Sequence, residues 1–168
     1  PVTHFDMTVY GADTAGADRP FADYHHVFSG ASGSLGVTYS FSEKLSAKLN
    51  VSRGYRAPNI AEISSNGVHP GTGIFQIGNA SFKPEFSLQE DLGLTYASRY
   101  AVINLSAFYN LISNYIFNEK LLAADGRDSL LDNNMVYAFK QGKAALYGGE
   151  FSVDIHPVKP LHFENSIS

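Results

Sequence analysis

The residues best suited to chemistry lie on one long polar stretch, from residue 55 to residue 84. Tyr55 and Arg56 begin it, and the planar guanidinium of Arg56 offers a forked set of donors that suits an anion. His69 follows in a glycine-rich stretch, where its imidazole could bind a metal centre. Each has a structural alternative, because Tyr55 and Arg56 could anchor the end of a strand and His69 could shape a turn. Asn66 and Gln76 are further candidates for binding on the same stretch.

Other polar groups in the chain are poorer candidates. His25 and His26 are adjacent, and neighbouring residues of a strand point to opposite faces, so the two could not chelate one metal. The acidic run from Asp125 to Asp132 lacks the alternating oxygen ligands and downstream glutamate of a calcium loop. There is no nucleophile elbow, zinc-protease motif or phosphate loop. The sequence therefore predicts no catalytic site, no resident metal and no cofactor, and the chain is not expected to be an enzyme.

The elements that carry these residues alternate in polarity with a period of two. From Ala31 to Phe41 one face is apolar and the other is made of serine, threonine and glycine, as in a β-strand. The same pattern recurs in four further segments, which are residues 45–52, 86–96, 103–110 and 150–155. We therefore predict an all-β fold.

Connections between these segments alternate in length. Short links lie at residues 42–44, 97–100 and 156–160, and long polar links run from Gly11 to Tyr24, from Ala57 to Pro84 and from Asn118 to Asn134. This layout predicts an antiparallel meander of about seven strands, like a stretch of an outer-membrane β-barrel. Aromatic residues near the strand ends, among them Tyr39 and Tyr96, suit the two membrane interfaces.

Composition narrows the class of protein further. The 168 residues carry a net charge of −4, and only 17% of them are charged. No basic patch stands out, so the sequence gives little support for nucleic-acid binding. No run of about 18 apolar residues predicts a transmembrane helix. Cysteine is absent, which excludes disulfides and thiolate metal sites within the chain. Residues 1–4 have neither the basic start nor the apolar core of a signal peptide, and residues 163–168 stop inside an alternating pattern, so we expect the chain to be a piece of a longer protein.

Four blocks of sequence resemble the TonB-dependent outer-membrane receptors of the ferric-siderophore type. Arg53-Gly54-Tyr55-Arg56-Ala57-Pro58 is similar to the family's aromatic-Arg-Ala-Pro box, and Asn66-Gly67-Val68-His69 to its Asn-Gly-Val-His stretch. The segment from Gly78 to Glu85 resembles the box Gly-Asn-Pro-x-Leu-Lys-Pro-Glu, with Ala80 and Phe82 at the Pro and Leu positions. The fourth block comprises two later strands, around residues 107–110 and 142–150, which also fit the family.

This resemblance implies that residues 1–168 are part of a transmembrane barrel of about 22 strands, with a separate N-terminal plug domain outside the chain. It implies uptake of an iron complex, most simply a ferric siderophore, across the outer membrane, driven by the TonB complex through the plug. The implied ligand contacts are Tyr55, Arg56, Asn66, His69 and Gln76. Alternatives are haem uptake on the same architecture, a soluble secreted β-domain for adhesion, and an outer-membrane enzyme.

Overall fold

A computed structural model describes residues 1–9, 24–69, 71–158 and 161–168, and these are mostly β-strand. The link predicted from Gly11 to Tyr24 lies almost wholly outside the described residues, as do Pro70, Lys159 and Pro160 of the other predicted links. The described elements are β1 (Val2–Val9), β2 (Tyr24–Ala31), β3 (Gly33–Ser40), β4 (Leu45–Arg56), α1 (Ile60–Ser64), β5 (Asn66–His69), β6 (Ile74–Ile77), β7 (Glu85–Ala97), β8 (Ala101–Lys120), β9 (Leu130–Leu131), β10 (Asn134–Val158) and β11 (Leu161–Ile167).

The strands form the predicted meander. β1 pairs with β2, and a second sheet runs in the order β3-β4-β7-β8-β10-β6-β5, with β9 and β11 also paired to β10. Only Ser32 separates β2 from β3, so the two count as one run. Among the described residues the meander then has seven longer strands, in agreement with the prediction of about seven. Among the described residues, no helix combines the length and the apolar character needed to cross a membrane.

One pairing departs from the antiparallel meander. β5 and β6 form a hairpin inside the long link between β4 and β7, and β6 pairs with β10 in parallel. The pairing is short and joins Phe75, Gln76 and Ile77 to residues 136–138. The polarity pattern of the sequence predicts only a long polar link here, because runs of four residues are too short to show a strand pattern.

The chain divides into two compact units. The loop unit comprises Pro1–Ala31, Tyr55–Phe86 and Ser113–Lys143, and the sheet unit comprises Ser32–Gly54, Ser87–Ile112 and Ala144–Ser168. The loop unit holds a small core of Met7, Phe28 and Ile63, so that α1 packs against the β1–β2 pair. This core fixes the part of the link in which α1 lies.

In the sheet unit the two faces differ as predicted. Leu35 pairs with Val51 and Val37 with Leu49, which places these side chains on one face of β3 and β4. The large apolar side chains of this face are exposed, and Leu35 leaves 75% of its surface uncovered. Other exposed members of the apolar face are Tyr39, Leu92, Leu94, Leu105, Tyr109, Phe151 and Ile155. A contiguous apolar surface of this kind suits lipid or a protein partner rather than water.

The opposite face carries a ladder of polar hydrogen bonds. Asn50 of β4 and Gln89 of β7 both donate to the carboxylate of Asp91, at 3.2 and 2.8 Å. Asn104 of β8 accepts from Thr95 at 3.0 Å and donates to Ser152 of β10 at 3.3 Å. Small amide and hydroxyl side chains thus pair across four neighbouring strands. This confirms the predicted division into an apolar and a small-polar face.

Candidate functional site

Arg56 ends β4 and binds two carboxylates. Its Nε and Nη2 donate to Glu85 at 2.7 and 2.5 Å, and its Nη1 donates to both carboxylate oxygens of Glu62 at 3.0 Å. The two carboxylates are nearly buried, whereas 42% of the arginine side chain remains exposed. The hydrogen bond to Glu85, ahead of the loss from burial, raises the pKa of Arg56 above its ordinary value. Its forked donors therefore bind groups of the protein itself.

Glu62 lies in the first turn of α1, where it also caps the helix. Asn59 precedes the helix, and its side-chain oxygen accepts from the Glu62 N–H at 2.9 Å, while the Glu62 carboxylate accepts from the Asn59 N–H at 2.8 Å. This reciprocal pair is a capping box, which satisfies two backbone donors at the start of a helix. Pro58, which is fully buried, comes just before the cap. The Arg-Ala-Pro-Asn sequence thus ends β4 and starts α1 within four residues.

Glu85 begins β7 and binds both side chain and backbone. Besides Arg56, its carboxylate accepts the backbone N–H of Ile116 in β8 at 2.6 Å. Burial by itself raises the pKa of Glu85, but the hydrogen bonds from Arg56 and Ile116 and the charge of Arg56 outweigh it, so the pKa lies below its ordinary value. Glu85 is therefore ionised at neutral pH and ties β4 to β8.

Tyr55 lies in the loop-unit core and not on an open surface. Its ring packs over Gly30, where an added Cβ would lie 2.0 Å from the ring carbon Cδ2, and it tilts against Phe86. Its hydroxyl is buried without a hydrogen-bond partner among the described residues, and burial raises the pKa of the phenol. These contacts give Tyr55 a packing role at the end of β4.

His69 ends β5 at the turn of the β5–β6 hairpin. Its carbonyl accepts from Thr72 and Gly73 at 3.2 and 2.9 Å, and its Nδ1 accepts from the Gly71 N–H at 3.2 Å. Gly73 has a φ of 65°, a conformation that favours glycine. The imidazole thus shapes the glycine-rich turn, and it is also exposed. Its Nε2 has no hydrogen-bond partner in the part of the chain that the structure describes.

The strand register decides which candidates share a face. His69 pairs with Ile74 and Gly67 with Gln76, so His69 and Gln76 lie on one face of the hairpin. Gln76 in turn pairs with Tyr137 of β10, which extends this face by an aromatic side chain with a hydroxyl. Nothing lies within 4 Å of the position that a Cβ of Gly67 would occupy, so the face has an open space beside Gln76. We call His69, Gln76 and Tyr137 the hairpin face.

Asn66 does not belong to the hairpin face. It pairs with Ile77 at the base of the hairpin, one residue out of phase with Gln76, and alternate strand residues point to opposite sides. The structure therefore brings together His69 and Gln76 among the predicted ligand contacts, and it separates Asn66, Tyr55 and Arg56 from them. Tyr137 escaped the sequence analysis because it is one of ten tyrosines and its position depends on the β6–β10 pairing.

The remaining polar clusters have local partners. His25 binds Asp6 at 3.1 Å and His26 packs between the rings of Tyr24 and Phe28, so the two histidines do point apart as predicted. Lys120 of β8 binds Asp128 at 2.7 Å across the link between β8 and β10. No three histidine or carboxylate side chains of the described residues come close enough to hold a metal ion.

Comparison with known proteins identifies the class. The family model described as the β-barrel of TonB-dependent receptor-like proteins matches residues 3–165, and the chain belongs to this family. Receptors of this family are transporters of the outer membrane. No curated protein matches the chain.

Solved structures of such receptors share its fold. A mutant of the ferric enterobactin receptor PfeA of Pseudomonas aeruginosa is 24% identical with a TM-score of 0.61, and the match covers 86% of this chain and 22% of that one. The siderophore receptor PirA of the same organism is 20% identical with a TM-score of 0.62, and 86% and 28% of the two chains match. The copper transporter OprC is 18% identical with a TM-score of 0.64, over 86% and 21%. This chain thus spans about a quarter of the length of these receptors.

Proposed function

We propose that this chain is part of the barrel wall and mouth of an outer-membrane receptor that imports an iron complex, a ferric siderophore in the first instance. The exposed apolar face of the sheet unit suits contact with lipid, and the loop unit provides a folded surface for a ligand. PfeA and PirA, which have the same fold, are receptors for ferric enterobactin and for a siderophore. The exposed apolar side chains are unfavourable for a soluble adhesion domain, which would bury them in its interior.

The observation that carries the proposal is the hairpin face. An imidazole, an amide and a phenol project from the same side of three neighbouring strands, next to the space left by Gly67. Aromatic and hydrogen-bonding groups of this kind suit a compact, polar and partly aromatic ligand. Tyr55 and Arg56 support this surface from within the protein, and Asn66 serves as a comparison on the reverse side.

The mechanism we propose has a step of capture and a step of release. The hairpin face and the neighbouring links bind the iron complex, and a plug domain outside this chain then changes conformation under the force of the TonB complex. In this proposal the described residues bind the ligand and form part of the barrel wall, and no catalysis is proposed. Energy coupling belongs to the plug, so loss of a hairpin-face residue should weaken capture more than the later steps.

Equilibrium binding to the full-length receptor tests the proposal. With ferric enterobactin as the probe, we expect His69→Ala, Gln76→Ala or Tyr137→Phe to raise Kd about tenfold, the effect of one good polar contact. Asn66→Ala, on the opposite face, should change Kd less than about twofold. Equal effects of His69→Ala and Asn66→Ala, or none from any of the four, would count against the hairpin face as the site.

Haem uptake is the second candidate, and the exposure of the His69 imidazole at the hairpin turn favours it. His69 Nδ1 accepts a hydrogen bond from the Gly71 N–H, so the neutral ring carries its proton on Nε2. Ligation of iron through Nε2 therefore requires that this proton move to Nδ1 and that the bond from Gly71 break. Hemin added to the receptor should then shift the Soret band, and His69→Ala should abolish the shift. A receptor that binds ferric enterobactin but leaves the hemin spectrum unchanged would exclude this candidate.

A further inference from the structure

The β4–β7 link is held by Arg56 at the two places where it meets long strands. Arg56 is the last residue of β4, Glu62 lies in α1 and Glu85 is the first residue of β7, and one guanidinium binds both carboxylates. We propose that Arg56 is a positioning residue, which fixes α1 and through it the β5–β6 hairpin that presents His69 to an iron complex. Only its last step, the effect on the ligand, rests on the function proposed above.

Hydrogen bonds connect α1 to both ends of the hairpin. The residue before β5, Ser65, accepts from Gly78, which follows β6, at 2.6 Å, and Asn79 donates to the Glu62 carbonyl at 2.9 Å. A Cβ on Gly78 would lie only 2.7 Å from the Ile63 carbonyl carbon, which shows how closely the two segments approach. The hairpin therefore stands directly on α1, and a shift of α1 would carry His69 with it.

The other carboxylate belongs to a fixed frame. Just before Glu85, Lys83 exchanges two hydrogen bonds with the side-chain amide of Gln141 in β10, at 2.6 and 3.1 Å. Asn114 of β8 donates to the Pro84 carbonyl at 3.0 Å. Glu85 itself accepts from Ile116. Arg56 thus links α1 to a segment that β8 and β10 already hold, and it adds a charged contact to the packing of Ile63 and to the β6–β10 pairing, which also hold the link.

Electron paramagnetic resonance on the full-length receptor measures this directly. This chain has no cysteine. With any cysteine elsewhere in the receptor replaced by serine, spin labels at Val68→Cys in β5 and Asn118→Cys in β8 report the distance between the hairpin and β8 without any ligand. We expect a narrow distance distribution in the native background and one at least about twice as broad with Arg56→Gln. Arg56→Lys, which can reach one carboxylate at a time, should give an intermediate width.

Two controls separate positioning from general loosening. Lys140→Gln removes a single exposed ion pair with Glu119 and should leave the distribution unchanged. A second label pair, Asn118→Cys with Leu131→Cys in β9, should keep its width with Arg56→Gln. An unchanged hairpin distance with Arg56→Gln overturns the proposal, and so does equal broadening of both label pairs, since that would be a general structural role.

Further variants cover the remaining outcomes. If Arg56→Gln does not fold, the triple variant with Glu62→Gln and Glu85→Gln leaves no unpaired buried charge, and it should still broaden the hairpin distance alone. If the hairpin distance of the triple variant is not broadened, the proposal fails. Ferric enterobactin should bind about tenfold more weakly to Arg56→Gln than to the native receptor, with partial rescue by Arg56→Lys. If none of the hairpin-face variants affects binding, the hairpin face is refuted as the binding site, and the distance measurement still tests the role of Arg56 independently.

Discussion

At the scale of single residues, Arg56 shows both what sequence reasoning can reach and where it stops. Its forked donor set follows from residue type, and the sequence analysis leaves open whether it binds an anionic ligand or anchors a strand. The structure supplies two carboxylates, from positions 6 and 29 residues along the chain. Partners at such separations depend on the fold, so composition and spacing could not have named Glu62 and Glu85.

We predict that Arg56→Gln lowers the stability of the receptor. It leaves two nearly buried carboxylates without their cation, which in a fully buried pair costs about 3–5 kcal/mol. Because the arginine is partly exposed, we expect about 2 kcal/mol, read as a lower melting temperature in detergent. Lys140→Gln, at an exposed pair, is the matched control and should change stability by less than about 0.5 kcal/mol. Equal effects of the two would contradict a role for burial.

Glu85 should make the stability of the receptor depend on pH in the acid range. Its pKa is lower in the folded state than the ordinary value of 4.5, so its contribution is complete above that value and is lost as pH falls through the folded pKa. The melting temperature should therefore drop as pH falls below about 4.5. Glu85→Gln should lower the melting temperature at pH 7 and flatten this drop. A native-like slope in the variant would assign the acid effect to other carboxylates.

At the scale of elements, period-two patterns predicted the long strands well. In each long strand, alternate side chains lie on opposite faces of the sheet, and the two faces differ in polarity over many residues. They could not predict α1, β5 and β6, whose lengths of four or five residues leave too few positions for a pattern. A capping box at Asn59 and Glu62 is visible in the sequence and could have indicated the start of α1. The parallel β6–β10 pairing has no local signal in the sequence. Tyr137 depends on this pairing for its place beside Gln76, so it could not be predicted as a candidate ligand contact.

Two glycines of the same link should differ in their tolerance of one added methyl group. Gly78→Ala places a Cβ 2.7 Å from the backbone of Ile63, which cannot move aside without displacing α1, and we expect a loss of about 1–3 kcal/mol. Gly67→Ala meets nothing within 4 Å and should keep the stability of the native receptor. Thermal unfolding of both variants checks this. A tolerated Gly78→Ala would mean that α1 and β6 are not closely packed.

At the scale of the whole molecule, the alternation of polarity carried the prediction of the fold. Four motif blocks in the right order indicated a TonB-dependent receptor, and the family match over residues 3–165 confirms it. Ligand identity is not encoded in that pattern, because the same barrel fold occurs in a ferric enterobactin receptor and in a copper transporter. We expect specificity to reside in the links between strands, where the sequence pattern is weakest.

Neighbouring residues of β8 test which side of the sheet meets lipid. Leu105 lies on the apolar face, whereas Asn104 and Ser106 lie on the polar one, where Asn104 bonds to Thr95 and Ser152. Leu105→Lys should cost about 2–4 kcal/mol in folding of the full receptor into lipid vesicles, the range for a cation on a lipid-facing strand. Ser106→Lys, next to it in sequence, should cost less than about 1 kcal/mol. Equal costs would show that neither face is in contact with lipid.

The parallel ladder between β6 and β10 also has a consequence for the order of assembly. Its partners, Phe75 and Val136, are about 60 residues apart in the chain, so β6 can join only after β7, β8 and β10 have been laid down. Three residue pairs then join it to β10, against eight between β3 and β4. Amide protons of β6 should accordingly exchange with solvent faster than those of β3, and we expect the β6–β10 contact to be the last of these pairings to form.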